Sequence, residues 1–177
     1  SFMSFEFEGN YYRFVRMPMG LSSAPFLCTE LLSVVSFALS RAGIVHVRYL
    51  DDFLYIARTR AAAETALTRA AAIFASFGLV INQSKTAGPS QTITFLGIEL
   101  NSVTQTSSCT AGRVQELTDL LLRFRHRSFS RAKYISSLIG KLSFAAQVLP
   151  GARPFMRRLI DTVATVKFSH YFIKLDS

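Results

Sequence analysis

Cysteine is scarce in this chain, and the two present, Cys28 and Cys109, lie far apart with no C-x-x-C spacing. That argues against a disulfide framework or a thiolate zinc site and fits a reducing compartment. No apolar run reaches the roughly 18–20 residues needed to span a bilayer. The opening Ser1-Phe2-Met3-Ser4-Phe5-Glu6 has no basic segment and no signal-peptide core. The expected setting is therefore intracellular, cytoplasm or nucleus, without a membrane partner. Internal repeats and low-complexity tracts are also lacking, beyond a short Ala run. Acids are few, eleven Asp and Glu against twenty Lys and Arg, for a net charge of +9 and a pI near 10.1. Such an excess favours a polyanionic partner, nucleic acid ahead of membrane. Charged residues make up only 18% and hydrophobic ones 50% of the 177 residues, so a substantial core can be buried. An initiator Met is missing at position 1, and the chain opens straight into strand-like alternation. A piece of a longer polypeptide is the expectation.

Residues 2–8 alternate Phe2, Ser4, Glu6 and Glu8 against Met3, Phe5 and Phe7, the pattern of a half-buried strand. Gly9-Asn10 marks a turn, and Tyr11 to Val15 read as a second strand. Pro18 and Gly20 then break regular structure. Ser22 and Ser23 are candidate N-caps and Pro25 suits a first helical turn, so residues 24–41 are predicted as a mostly buried helix with Leu27, Leu31, Leu32, Val35 and Leu39 on its apolar side. A second helix is expected over 60–77 through Leu67, Ala71, Phe74 and Phe77, stopped by Gly78. Leu79 to Asn82 read as a short strand before a polar loop carrying Lys85. Thr92 to Leu100 read as another, with Gly97 inside it suggesting a bend or a close backbone approach. The Ser/Thr-rich stretch 101–110 is the best domain boundary. Beyond it the expectation is helices only, at 112–124, 131–148 (capped by Ser128 or Ser130) and 154–166. The order implies an α+β domain, residues 1–100, followed by a small helical one, residues 101–177.

Val45 to Ala57, VHVRYLDDFLYIA, places an adjacent pair of acids between two strand-prone runs. Val45, Val47 and Tyr49 share one face of the first run, His46 and Arg48 the other. A hairpin with both acids at its tight turn is the simplest structure. Asp is a common turn residue because its side chain hydrogen-bonds nearby backbone. Two adjacent like charges also repel, and a divalent cation would turn that repulsion into attraction. Taken locally, turn chemistry and metal binding both stand.

Four segments then fall in one order. Met17-Pro18-Met19-Gly20-Leu21-Ser22-Ser23-Ala24-Pro25 resembles motif B of reverse transcriptases, and Tyr49-Leu50-Asp51-Asp52 resembles their Tyr-x-Asp-Asp box, motif C. Gly78-Leu79-Val80-Ile81-Asn82 with Lys85 resembles motif D, and Phe95-Leu96-Gly97 the primer-grip motif E. The tail, with Gly140-Lys141-Leu142-Ser143-Phe144-Ala145 and Pro150 to Phe155, is similar to the thumb and connection region of retrotransposon enzymes, closest in flavour to DIRS-type elements. The resemblance covers almost the whole chain and implies an α+β polymerase palm, an antiparallel sheet with packed helices, followed by a helical thumb.

The same resemblance implies a reaction and a role for each matching residue. The reaction would be RNA-directed DNA synthesis, an in-line displacement that two Mg²⁺ ions roughly 3.5–4 Å apart can clamp, with Mn²⁺ as the other option. Asp51 would be the principal ligand and Asp52 a supporting one. Gly20 would let the backbone approach the nascent pair; Ser22, Ser23 and Tyr49 would contact template or incoming nucleotide; Met19 would tune nucleotide fit. Lys85 would reach the triphosphate or protonate the leaving pyrophosphate, a solvated Lys being the alternative. Phe95, Leu96 and Gly97 would position the primer, a plain core strand being the alternative. The basic group Arg123, Arg125, Arg127, Arg131 and Lys133 would meet backbone phosphates of a primer-template, a solubilising face being the alternative. The family's motif A, source of a third carboxylate, should lie further upstream of Pro18 than the 17 residues present here, whose only acids are Glu6 and Glu8. The isolated chain is therefore expected to be inactive and the intact parent active, continuous with upstream fingers and a downstream RNase H. The competing reading is a palm-thumb remnant that grips nucleic acid without chemistry.

Overall fold

The computed structural model describes residues 4–18, 20–149, 151–166 and 170–174. Expectations for Phe2, Met3, Met19 and Pro150 fall outside these. The chain divides into two units, Ser1–Ser90 and Gln91–Ser177.

In the first unit, β1 (Ser4–Phe7) and β2 (Asn10–Arg13) form an antiparallel hairpin. Its turn residues are Glu8 and Gly9, at φ 50° and 73°, one step before the predicted Gly9-Asn10. Positive φ at both central positions matches the right-handed twist of the flanking strands. Both faces of this hairpin are exposed, where the alternation had predicted a half-buried strand. Phe5 instead stacks across the strands on Tyr12, ring centroids 5.5 Å apart, and lies 5.4 Å from Phe14.

Helix α1 spans Ala24–Arg41, with Pro25 in its first turn. Leu32, Val35 and Leu39 recur at helical spacing and enter a core with Ile44, Ala70 and Phe74. Burying each such side chain contributes roughly 1.5–3 kcal/mol. Only this stripe is buried, because Leu27 and Leu31 remain 51% and 45% exposed; the helix is one-sided rather than mostly buried. By length and composition alone, at a mean hydropathy of 1.3 over 18 residues, α1 is apolar enough to cross a bilayer, which corrects the expectation of no such run. The stripe packed into the core is what a buried helix of a globular unit also shows.

Strands β3 (His46–Tyr49) and β4 (Asp52–Tyr55) come next, then helix α2 (Arg60–Ser76). The Thr59 hydroxyl accepts from the Ala62 amide at 3.2 Å and caps α2. Gly78, at φ 71°, ends it. Residues 79–82 do not form the predicted strand. Leu79 and Ile81 do pack on the core while Val80 points out, so the alternation is real. It has no ladder partner among the described residues, and a strand needs one.

The second unit opens with a three-stranded meander, β5 (Thr92–Phe95), β6 (Ile98–Asn101) and β7 (Thr106–Cys109). The predicted single strand over 92–100 is thus a hairpin that turns at Leu96-Gly97. The Ser/Thr-rich stretch is ordered within this sheet: Asn101 Oδ1 accepts from the amides of Val103 and Thr104 at 2.9 and 3.0 Å. The division of the chain therefore falls earlier than the Ser/Thr-rich boundary. Helices α3 (Ala111–Arg125), α4 (Ala132–Ala145) and α5 (Ala152–Ala164) are present near their predicted places. This region is not helical only, since β8 (Phe129–Arg131) pairs with β9 (Phe172–Lys174). Ser130 lies buried on β8 opposite Ile173, so neither it nor Ser128 caps α4, whose N-cap is Arg131. Ala132, Ile135 and Ile173 form the centre of this unit's core, with Phe124, Ile139, Leu159 and Val163 around them.

Candidate active site

The β3–β4 hairpin pairs His46 with Tyr55, Val47 with Leu54, Arg48 with Phe53 and Tyr49 with Asp52. Its turn is therefore Leu50-Asp51. Asp51 occupies the turn, as predicted, but Asp52 is the first residue of β4, its backbone held in the ladder. Leu50 adopts φ 51°, a left-handed conformation that costs a side-chain-bearing residue roughly 1–2 kcal/mol. Both carboxylates are exposed.

The face that packs is the one carrying His46 and Arg48. His46 Nδ1 lies 3.0 Å from the Ile44 carbonyl and so donates to it, which leaves Nε2, 2.6 Å from the Ser36 hydroxyl, to accept. Phe53 meets Phe74 of α2 edge-on at 5.1 Å. Burial pushes the Tyr55 hydroxyl above its ordinary pKa of 10.0, because the phenolate would lose solvation. Val45, Val47 and Tyr49 face outward, 63%, 48% and 56% exposed. The hairpin is thus anchored on one side while its tip and its other face stay open.

The ion pairs among the described residues are Arg60–Glu64, Lys141–Glu116 and Arg157–Asp161. None draws on Asp51 or Asp52, whose oxygens remain available. Hard carboxylate oxygens on consecutive residues suit a divalent cation of the Mg²⁺ or Mn²⁺ kind. Among the described residues no cluster of three or more His, Cys, Asp or Glu forms around them.

Elsewhere in this unit, Gly20 takes φ 91° with nothing within 4 Å of a would-be Cβ, so its backbone conformation, not crowding, calls for glycine. Ser22 and Ser23 are exposed; Ser23 holds the N-cap position of α1 without a side-chain cap bond. Lys85 ends a short 3-10 turn, Gln83–Lys85, and is exposed. Asn82 caps that turn, its Oδ1 accepting from the Ser84 amide at 3.1 Å.

In the second unit, Phe95 and Ile98 close the β5–β6 hairpin around Leu96 and Gly97, at φ 51° and 78°. A Cβ on Gly97 would stand 3.2 Å from Arg113 Nη2 and 3.4 Å from Phe144 Cζ. The Arg113 guanidinium itself lies 3.9 Å over the Phe144 ring, within cation–π range. Arg123, Arg125, Arg127, Arg131 and Lys133 are all exposed around the α3–β8–α4 junction. Arg127 leans on Phe124 at 5.7 Å and Arg131 on Phe172 at 5.3 Å. Lys141 pairs with Glu116 across α3 and α4 and holds that carboxyl below its ordinary pKa by a hydrogen bond and its charge. Sequence reasoning missed Arg48 and Arg113. Arg48 carried a weak signal, a lone cation on the strand face turned toward hydroxyls spaced four apart on α1. Arg113 carried none, because its partners come from two other elements.

The profile of the reverse transcriptase (RNA-dependent DNA polymerase) family matches residues 1–100. Nothing among curated proteins matches the chain. Among solved structures, the foamy viral protease-reverse transcriptase dRH in complex with double-stranded DNA is similar at TM-score 0.77 and 20% identity over 99% of this chain. The foamy viral protease-reverse transcriptase with an RNA/DNA hybrid aligns at TM-score 0.74 and 20% identity over 99%, and with double-stranded DNA at 0.73 and 22% over 98%. The chain spans 28%, 22% and 34% of those chains, respectively. At such identities the likeness shows the fold, an α+β palm- and thumb-like arrangement.

Proposed function

The chain belongs to the reverse transcriptase (RNA-dependent DNA polymerase) family, and from that premise we propose that the intact protein is an RNA-directed DNA polymerase. It adds deoxynucleotides to a primer 3′-hydroxyl on an RNA or DNA template. One observation carries the reading: Asp51 and Asp52 stand exposed, outside every ion pair of the described residues, at the tip of a hairpin whose inner face is bolted to a helical core.

Asp51, at the turn, is the principal metal ligand, and Asp52, fixed by its ladder partner Tyr49, supports it. Held there, Mg²⁺ would acidify the primer hydroxyl and neutralise charge gathering on the leaving pyrophosphate. The exposed hydroxyls of Ser22 and Ser23 and the ring of Tyr49 contact template or nucleotide, beside the backbone that Gly20 leaves open. Lys85 supplies a cation for the triphosphate. The Leu96-Gly97 turn, between Phe95 and Ile98, seats the primer strand. Arg123, Arg125, Arg127, Arg131 and Lys133 track the phosphate backbone without reading sequence. The free thiols Cys28 and Cys109 accord with an intracellular setting. The sequence motifs in the tail, Gly140 to Ala145 and Pro150 to Phe155, support a retrotransposon source of DIRS type; a tyrosine recombinase encoded beside the parent gene would bear that out.

The test is Asp51→Asn in the full-length protein, read by primer extension and by primer-template binding. Extension should fall by several orders of magnitude with binding nearly unchanged. Extension at the wild-type rate would sink the metal role. Binding without any extension by the wild-type protein, in Mg²⁺ and in Mn²⁺, would favour a palm-thumb binding module instead.

A further inference from the structure

We infer that Arg48 is a positioning residue: it ties the Leu50-Asp51 turn to helix α1 and thereby sets where the Asp51 carboxylate stands. The inference rests on Asp51 being a metal ligand, as proposed above. Arg48 Nη1 donates to the Leu50 carbonyl at 3.3 Å and to the Thr29 carbonyl at 3.3 Å, and Nη2 donates to Ser33 Oγ at 2.9 Å. The Leu50 carbonyl belongs to the peptide plane that leads directly into Asp51. Gripping that oxygen fixes the plane, and with it the Asp51 Cα, in a turn whose other central residue is already in an uncommon left-handed conformation.

The acceptors on α1 are prepared for this. The Ser33 hydroxyl donates back to the Thr29 carbonyl at 2.7 Å, and the Thr29 hydroxyl to the Pro25 carbonyl at 2.8 Å. With its proton committed to the helix, Ser33 Oγ presents lone pairs outward to the guanidinium. None of the ion pairs among the described residues involves Arg48, so its donors serve backbone and hydroxyl oxygens alone. A planar fork can reach three acceptors on two elements at once. A lysine at the same place would keep the charge and lose that geometry.

A strut that merely stabilised the fold would not alter metal dependence, and this separates the two roles. The experiment uses the full-length polymerase with Arg48→Lys, Ser33→Ala and Asp51→Asn, a defined primer-template, and a MgCl₂ titration of single-nucleotide incorporation. Arg48→Lys should lower kcat on the order of tenfold to a hundredfold, the scale on which small misplacements of a reacting group act. It should also raise the Mg²⁺ concentration for half-maximal rate several-fold, with primer-template affinity unchanged. Ser33→Ala, a milder loss, should move kcat and the Mg²⁺ midpoint the same way, and it carries the test if Arg48→Lys folds poorly. A wild-type Mg²⁺ midpoint in both variants overturns the inference, whether or not kcat falls. Wild-type extension by Asp51→Asn overturns the metal reading itself, and the inference with it. An inactive Asp51→Asn beside an unaffected Arg48→Lys overturns the positioning role alone.

Discussion

Gly97 meets two demands at once. Its φ of 78° disfavours any side chain, and the space a Cβ would need is taken by the Arg113 guanidinium lying on Phe144. An added methyl must shift that cation or the Phe144 ring by a few tenths of an ångström, or open the Leu96-Gly97 turn. Gly97→Ala should therefore cost about 1–3 kcal/mol, the conformational penalty plus lost stacking. Gly9→Ala, with nothing within 4 Å of the new carbon, should cost only the conformational part, about 1 kcal/mol. Urea unfolding of both variants checks the difference, and equal losses would mean that Arg113 yields freely. At this scale the sequence was legible where neighbours in the chain carry the meaning. Asp51-Asp52 could be read as a pair because the residues adjoin. Arg48 reaches Thr29, 19 positions away, and no periodicity announces such a contact.

Elements show the same division. Helices α1 and α2 were predicted almost to the residue, since periodicity and the Gly stops act within the segment itself. Strands depend on partners. Residues 79–82 alternate correctly yet have no described ladder partner, while β8 and β9 exist by pairing with each other across the thumb-like helices. Residues 92–100 were read as one bent strand because Leu96 gives no hint of the left-handed conformation it adopts beside Gly97. Where capping is visible, its worth can be measured. Thr59→Ala removes the single hydroxyl that receives the Ala62 amide, and should lower stability by about 1 kcal/mol. Thr59→Ser, which keeps the acceptor, should restore most of it. A neutral Thr59→Ala would show that the start of α2 is held by tertiary packing alone.

For the whole molecule, charge was the clearest sequence signal, and the structure distributes much of it over exposed side chains of the second unit. Arg127 and Arg131 each lie over an aromatic ring, whereas no such ring contact involves Arg125 or Lys133 among the described residues. Each phosphate contact contributes about 0.9 to the slope of log affinity against log salt on duplex DNA. Arg125→Gln with Lys133→Gln should thus flatten that slope by nearly two in a KCl titration of duplex binding followed by fluorescence anisotropy. An unchanged slope would return these residues to the role of a solubilising face. Fold class and family were legible because four motifs survive in order. The position of the Asp pair between turn and strand was not, because it is fixed by register against β3.

That register makes the hairpin intolerant of a change in length. Surface turns ordinarily accept an extra residue, but β4 alternates its side chains between solvent and the core. One insertion at Leu50-Asp51, carried into β4, would exchange its faces, drawing Phe53 off Phe74 and Tyr55 off the core and sending Asp52 and Leu54 toward it. The spacing from Tyr49 to Asp52 is therefore set by what packs beneath the hairpin. Packing alone thus gives the chain a folding reason for a turn of two residues.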